Sequence, residues 1–318
     1  MPKRGLIGVD LGGSVVAAGL VTPDGDVLAQ AQDATHKLGP GSAVATLLDV
    51  IQRMRQTARA FGVSVEGIGI GVPGTVDAER GVIGRDIHYV PELAGAPLAA
   101  TIVAQTGIPT YADNDVNVLA LGEWMFGAGQ GARFLVVLAI GTGVGGGIIQ
   151  DARLVRGQGG FGGELGHVPI NFDGRACVCG GQGCLKTYVS GTDIGLMGTE
   201  RLKRNVSAAD VFRMADESNP TCQDVVTEVC RALGAGLAVI VNGLNPERLI
   251  VTGGVAESLK PLELRIHTQL ERYAFAQALE TTRVEIVPQS KKSTVRGGAA
   301  LVQYEVERRR AGGASRAG

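Results

Sequence analysis

Two periodicities alternate along this chain. Leu6–Asp10, Ile68–Val72, Ile108–Ala112, Phe134–Ile140, Arg248–Thr252 and Glu285–Pro288 are short runs of strand character. Ser14–Val21 and Val27–Ala34 follow the turns Leu11-Gly12-Gly13-Ser14 and Pro23-Asp24-Gly25-Asp26, so the chain opens on three strands. Helical spacing then appears at Val44, Leu47, Leu48, Ile51, Met54, Ala58 and Phe61. A further helix is expected after Asp113-Asn114-Asp115, with Val116, Leu119, Ala120 and Met125 as apolar positions. Ser190-Gly191-Thr192 starts a helical region, and Ser207, paired with Asp210, caps a helix to about Asp216. The longest helix spans about Cys222–Leu244 and stops at Asn245-Pro246. Gly253-Gly254-Val255 opens another, and Val295–Arg310 forms the last, with Arg308–Gly318 as a frayed basic tail. The class is α/β. Strand, Gly-rich turn, strand occurs at Leu6–Val21 and again at Phe134–Ile149, which predicts two like domains facing a cleft.

Composition narrows the function. The 318 residues, 45% hydrophobic, suffice for one large or two medium cores. A net charge of −1 and 4% aromatics give no broad attraction to nucleic acid or to a membrane surface. Leu237–Val241 lies in an apolar run far too short to span a bilayer, and MPKRGLIGVD enters a strand with no signal-peptide pattern. A reduced, cytoplasmic setting is expected, one that suits thiolates reserved for metal.

Candidate chemistry concentrates in the Gly-rich stretches. Three of the five cysteines, Cys177, Cys179 and Cys184, fall in one short loop, with His167 ten residues ahead of the first. Three thiols and an imidazole complete a tetrahedral zinc set. Burial as small hydrophobes fits a Gly-rich loop poorly, and an odd cysteine count argues against a disulfide with a spare thiol. Asp10-Leu11-Gly12-Gly13-Ser14 reads equally as an ordinary hairpin or as a phosphate turn, with Asp10 holding Mg²⁺ through water. Gly71–Asp77, GVPGTVD, is a plain turn or a source of backbone donors. Asp113-Asn114-Asp115 stands where a strand gives way to a helix; capping needs one such residue, so at least one of the three is read as facing a ligand. The run Gly141–Gly147, GTGVGGG, is read as a second phosphate turn, because so many glycines would weaken a strand. Gly253-Gly254 reads as a flat-ligand contact or as tight packing.

In this order, DLGGS (Asp10–Ser14), GVPGTVD (Gly71–Asp77), DNDVN (Asp113–Asn117), GTGVGGG (Gly141–Gly147), GELGH (Gly163–His167), CVCGGQGCL (Cys177–Leu185) and NPERLIVTGG (Asn245–Gly254) resemble the ROK family of sugar kinases and repressors, its bacterial glucokinases in particular. The resemblance covers nearly the whole chain. It implies the actin-like ATPase fold, two ribonuclease-H-like domains around a cleft, with the last helix packed back on the first. The domains are then 1–115 with 297–318, and 116–296. It also implies an ATP-dependent kinase of a hexose 6-hydroxyl, glucose above others, with Asp115 as general base. Sugar contacts are implied for Gly74, Asn114, Asp115, Glu164, His167 and the position of Lys186. ATP would lie over Gly12, Gly13 and Ser14 and over Gly141, Thr142 and Gly143, with Gly253 and Gly254 near the adenosine. Mg²⁺ falls to Asp10, and a structural Zn²⁺ to His167, Cys177, Cys179 and Cys184. One His167 nitrogen would take the metal and leave the other for the sugar. A homodimer or tetramer is implied in the same way.

Two positions depart from that pattern. Lys186 stands where the glucokinase pattern has a Glu expected to touch the sugar near C1 and C2, and Glu92 stands where an Asn before Leu is usual. Either Lys186 points away and the sugar is glucose, or the pocket is remade for an amino or modified hexose such as kanosamine. A sugar-sensing repressor would need a DNA-binding helix-turn-helix, for which the nine residues before Asp10 leave no room. A non-catalytic sugar-binding regulator would need the base lost, yet Asp115 is present.

Overall fold

The computed structural model describes residues 3–85, 87, 89–290 and 292–314. In chain order the elements are β1 (Lys3–Leu11), β2 (Val15–Val21), β3 (Val27–Ala34), α1 (Ala43–Ala60), β4 (Val63–Val72), β5 (Val76–Asp77), β6 (Val82–Ile83), α2 (Leu98–Thr106), β7 (Thr110–Asn114) and α3 (Asp115–Phe126). Then come β8 (Phe134–Ile140), β9 (Val144–Gln150), β10 (Arg153–Leu154), α4 (Lys186–Val189), α5 (Gly191–Leu202), α6 (Ala208–Asp216), α7 (Pro220–Leu244), β11 (Arg248–Thr252), α8 (Ala256–Leu259), α9 (Glu263–Glu271), α10 (Ala276–Thr281), β12 (Arg283–Ile286) and α11 (Ser293–Ala314). They form two units, one of Met1–Gly131, Arg156–Gly162 and Ser290–Gly318, the other of Ala132–Val155 and Gly163–Gln289. The first unit therefore runs past Asp115 and keeps α3, which packs on α11.

Each unit holds a five-stranded sheet of the same topology. The orders are β3-β2-β1-β4-β7 and β10-β9-β8-β11-β12. In both, the first strand pairs antiparallel with the second and parallel with the fourth in sequence of its set. This is the ribonuclease-H-like arrangement, and the chain has the actin-like ATPase fold. Local chemistry explains the elements. Central β1 is apolar on both faces and buried beyond its first two residues, whereas edge strand β3 alternates in exposure, Gln30 and Gln32 outward and Ala29 and Ala31 inward. Ser207 and Asp210 form a capping box on α6. Asn219 caps α7 with Pro220 at its first turn, and Asn245 ends it in the left-handed conformation.

Some expectations shift. The first helix ends before Phe61, which is exposed. The strand expected at Ile108–Ala112 lies at Thr110–Asn114, so Asp113 and Asn114 close β7 and Asp115 opens α3, the strand-to-helix junction that was expected. Helices α2, α9 and α10 carry no strong periodicity and were not anticipated. The last helix continues as far as Ala314, so no fraying begins at Arg308, and the expected tail beyond, 315–318, lies outside the described residues. No helix among the described residues is long and apolar enough to cross a membrane.

Backbone contact closes the first unit. A β-carbon on Gly69 of β4 would sit against the Gly298 carbonyl of α11, and one on Gly8 of β1 against that of Val295. At these two glycines the helix backbone lies directly against the strands, while the Val295 and Val302 side chains pack over Gly19 and Gly67. Gly69→Ala is expected to cost about 1–3 kcal/mol by overpacking, read as a lower urea midpoint by circular dichroism. Gly243→Ala, at a helical site with nothing within 4 Å, is the control and should not destabilise.

Candidate functional site

Sheet register gathers the polar motifs of the first unit. Asp10 pairs with Gly71, and Gly71 with Asp113, so DLGGS, GVPG and DNDVN share the carboxyl ends of three parallel strands, β1, β4 and β7. Ligands of open α/β sheets bind at such ends. Asp10 is the last residue but one of β1, and burial raises its carboxyl pKa, opposed in part by the Thr294 hydroxyl of α11. The turn after β1 is held from behind. Gly12 N–H donates to Val15 O at 2.9 Å, and buried Thr35 donates its hydroxyl to Gly12 O at 2.7 Å and its N–H to Ser14 O at 2.9 Å. Thr35, unnoticed in the sequence, thus fixes the geometry of the Gly12–Ser14 turn.

The polar triplet divides its work. Asn114 caps α3, its Oδ1 accepting from the Val116 and Asn117 amides, while its Nδ2 donates to Gly74 O at 3.0 Å. Two expected sugar residues, Asn114 and Gly74, are therefore bonded to each other. Asp113 is buried; its Oδ1 accepts from Asn114 N–H at 2.7 Å and Asn117 Nδ2 at 3.0 Å. Its Oδ2 takes Arg156 Nε at 2.7 Å. Burial opposes the Arg156 charge, and Asp113 and Glu305 more than offset it, which raises its pKa. Asp115 is the first residue of α3, half-buried, with Oδ1 2.9 Å from Val116 N. Of the triplet, Asp113 is buried against Arg156, Asn114 caps the helix, and Asp115 is the first helical residue.

In the second unit the Gly run is shorter as a turn than expected. Only Gly141-Thr142-Gly143 turns, while Gly145–Gly147 belong to β9. Packing accounts for Gly146, because a β-carbon there would meet the Gly163 carbonyl. Gly191 N–H donates to Gly141 O at 2.8 Å, and Val255 N–H to Ile140 O at 3.0 Å. Gly253 has φ +100° and lies against Ile140, which excludes a side chain. Gly254 has open space before it. A pocket of ≈ 600 Å³ results, lined among others by Gly141, Thr142, Gly191, Phe212 and Gly254.

The cysteine loop folds back on itself. Leu185 N–H donates to Val168 O at 2.9 Å, which brings Cys184 beside His167, and Cys177 N–H donates to Gly181 O at 2.9 Å. His167 Nδ1 lies 3.5 Å from Cys177 Sγ, and Cys179 Sγ 3.7 Å from Cys184 Sγ. All four donor atoms fall within 4.8 Å of one another. Zinc bond lengths put thiolates about 3.8 Å apart and thiolate and imidazole nitrogen about 3.5 Å apart in a tetrahedron. The spacing fits that ion. His167 turns Nδ1 to the thiols and Nε2 toward Glu164, 4.0 Å away.

Both departures are held within their own units. Lys186 Nζ meets Asp193 Oδ2 at 3.0 Å, both side chains largely buried, and Ser190 also bonds Asp193. Glu92 Oε1 meets His36 Nε2 at 2.6 Å. Burial works against the Glu92 charge, yet its own N–H, His36 and the Ala43 N–H outweigh this and lower its pKa. Ser42 makes no side-chain cap on α1, so Glu92 serves that helix start from another loop.

The chain is similar to both kinases and repressors. A glucokinase of Halalkalibacterium halodurans is 30% identical over 96% of this chain and 97% of its own. A xylose repressor of Caldicellulosiruptor bescii is 30% identical over 93% of this chain and 77% of its own. The structure of a Streptomyces griseus ROK family glucokinase with glucose and AMPPNP superposes at a TM-score of 0.75, with 29% identity over 93% of this chain and 98% of that one. The ROK family model matches residues 6–305, and the chain belongs to the ROK family.

Proposed function

We propose that this chain is an ATP-dependent kinase that transfers the γ-phosphoryl group to the 6-hydroxyl of a neutral hexose, glucose before others. The observation that carries the reading is Asp115, at the first residue of a capped helix and at the strand ends shared with Asp10 and Gly71. A positioned carboxylate suffices to take the proton from a sugar hydroxyl, since the donor phosphate is activated by electrostatics. The backbone amides of Gly12–Ser14 and Gly141–Gly143 would hold phosphate oxygens, and the pocket beside Gly254 would take the adenosine. Mg²⁺ near Asp10 would supply charge for the polyphosphate. Zn²⁺ on His167, Cys177, Cys179 and Cys184 would fix the loop and aim His167 Nε2, together with Glu164, at the sugar. Similarity to a glucokinase structure with glucose and AMPPNP supports the same choice of substrates.

A neutral sugar is favoured over an amino sugar by the state of the two departures. Glu92, the carboxylate that would suit an ammonium, is occupied by His36 and the start of α1. Lys186 is occupied by Asp193.

A coupled ADP-release assay should rank glucose first by kcat/KM among glucose, mannose, glucosamine, N-acetylglucosamine, N-acetylmannosamine and kanosamine. Kanosamine in first place would overturn the neutral-hexose reading, and no turnover of any sugar would overturn the kinase. Asp115→Ala should lower kcat by about 10²–10⁴-fold; near-normal turnover would sink its role as base. Lys186→Met should leave the glucose KM little changed, whereas a large rise would put its ammonium on the sugar. Elemental analysis of the purified chain should find about one zinc per chain, reduced in Cys179→Ser; metal-free protein with full thermal stability and activity would refute the site.

A further inference from the structure

Arg156 has no place in the chemistry above, yet it is among the most heavily engaged side chains of the first unit. Its Nη2 lies 2.6 Å from Asp113 Oδ2 and 2.7 Å from Glu305 Oε1. Those carboxylates are 2% and 1% exposed. The Arg156 guanidinium also stands over the Tyr304 ring, 5.5 Å from its centroid. Glu305 is shared with Arg308, whose Nη2 is at 2.8 Å and whose Nη1 reaches Glu79 at 2.6 Å. Charges of alternating sign thus run from exposed Glu79 through Arg308, Glu305 and Arg156 to Asp113.

The inner end of this series is the start of α3. One Asp113 oxygen is given to Arg156; the other accepts the Asn114 N–H and the Asn117 side chain. Arg156 holds Asp113 in place for those donors, because a buried carboxylate is costly without a partner. The Asn114 peptide fixed in this way leads directly into Asp115.

We propose that Arg156 is the positioning residue of the candidate base, acting through Asp113 to fix the first turn of α3 and so the direction of the Asp115 carboxylate. The proposal rests on the reading of Asp115 as base. Lysine cannot reproduce the planar fork that serves two carboxylates, although it keeps the charge. In Arg156→Lys the expected result is a kcat about 10²-fold lower, with the KM for sugar and for Mg-ATP little changed. In the Asp115→Ala background the same substitution should cost nothing further, since the group it aims is gone. A merely structural ion cluster would not give that pattern. An unchanged kcat in Arg156→Lys, or a loss that adds in full to that of Asp115→Ala, overturns the proposal. Should Arg156→Lys fail to fold by circular dichroism, Asp113→Asn takes its place; it keeps shape and acceptor but not charge, and the same kcat-only loss is expected, with unchanged kcat again overturning it. Near-normal turnover in Asp115→Ala alone would instead remove the base reading, whatever Arg156 does.

Discussion

Backbone-on-backbone contact between α11 and the first sheet is the constraint on which most of this unit depends. Gly8 and Gly69 on the strands and Gly298 on the helix let backbone meet backbone, Val295 and Val302 fill the space over Gly19 and Gly67, and Gly297 makes the same close approach to Gly122 and Val118 of α3. At that distance α11 can reach the working end of the sheet. It brings Thr294 to Asp10 and Glu305 to Arg156, and it fastens the β2–β3 turn through Arg296 to Gly25 O at 2.8 Å. A bulkier interface would lift all three contacts at once. The helix is therefore part of the candidate site's support although it carries none of the expected ligand residues.

Much of this was legible where the governing interactions are local. The capping box at Ser207 and the helix stop at Asn245 depend on residues a few positions apart, and both stand as read. The cysteine cluster was legible for the same reason. Thr35, Arg156 and Asp193 were not, because what makes them matter is a partner placed by the fold. Arg156 and Glu305 are 149 positions apart. In sequence, Arg156 stands between Arg153 and a Gly-rich stretch, and nothing near it points to its partners. The run Gly141–Gly147 misled in the opposite way. Local logic assigned all its glycines to a ligand, whereas Gly146 answers to the Gly163 backbone in the next layer.

Lys186 and Glu92 make a related point about substituted positions. Each reverses or adds charge where the glucokinase pattern has another residue, and each invites a story about the substrate. In the fold, each charge has a partner supplied by a neighbouring element: Asp193 on α5 and His36 after β3. A charge change matched by a compensating contact is a change in the scaffold first. It alters a ligand's surroundings by withdrawing a group as readily as by offering one.

The division of the chain carries a consequence for how the protein is made. The first unit is assembled from three separate stretches, and α11, which closes it, follows the whole of the second unit in sequence. During synthesis the strands β1, β2, β3, β4 and β7 emerge first but wait, with the face that α11 covers still open, until roughly the last tenth of the chain is translated. The second unit, by contrast, has every strand of its sheet once β12 is out. A nascent chain of this design keeps the face of its first sheet that α11 covers exposed until α11 has emerged, and exposed apolar surface of that kind is what aggregates.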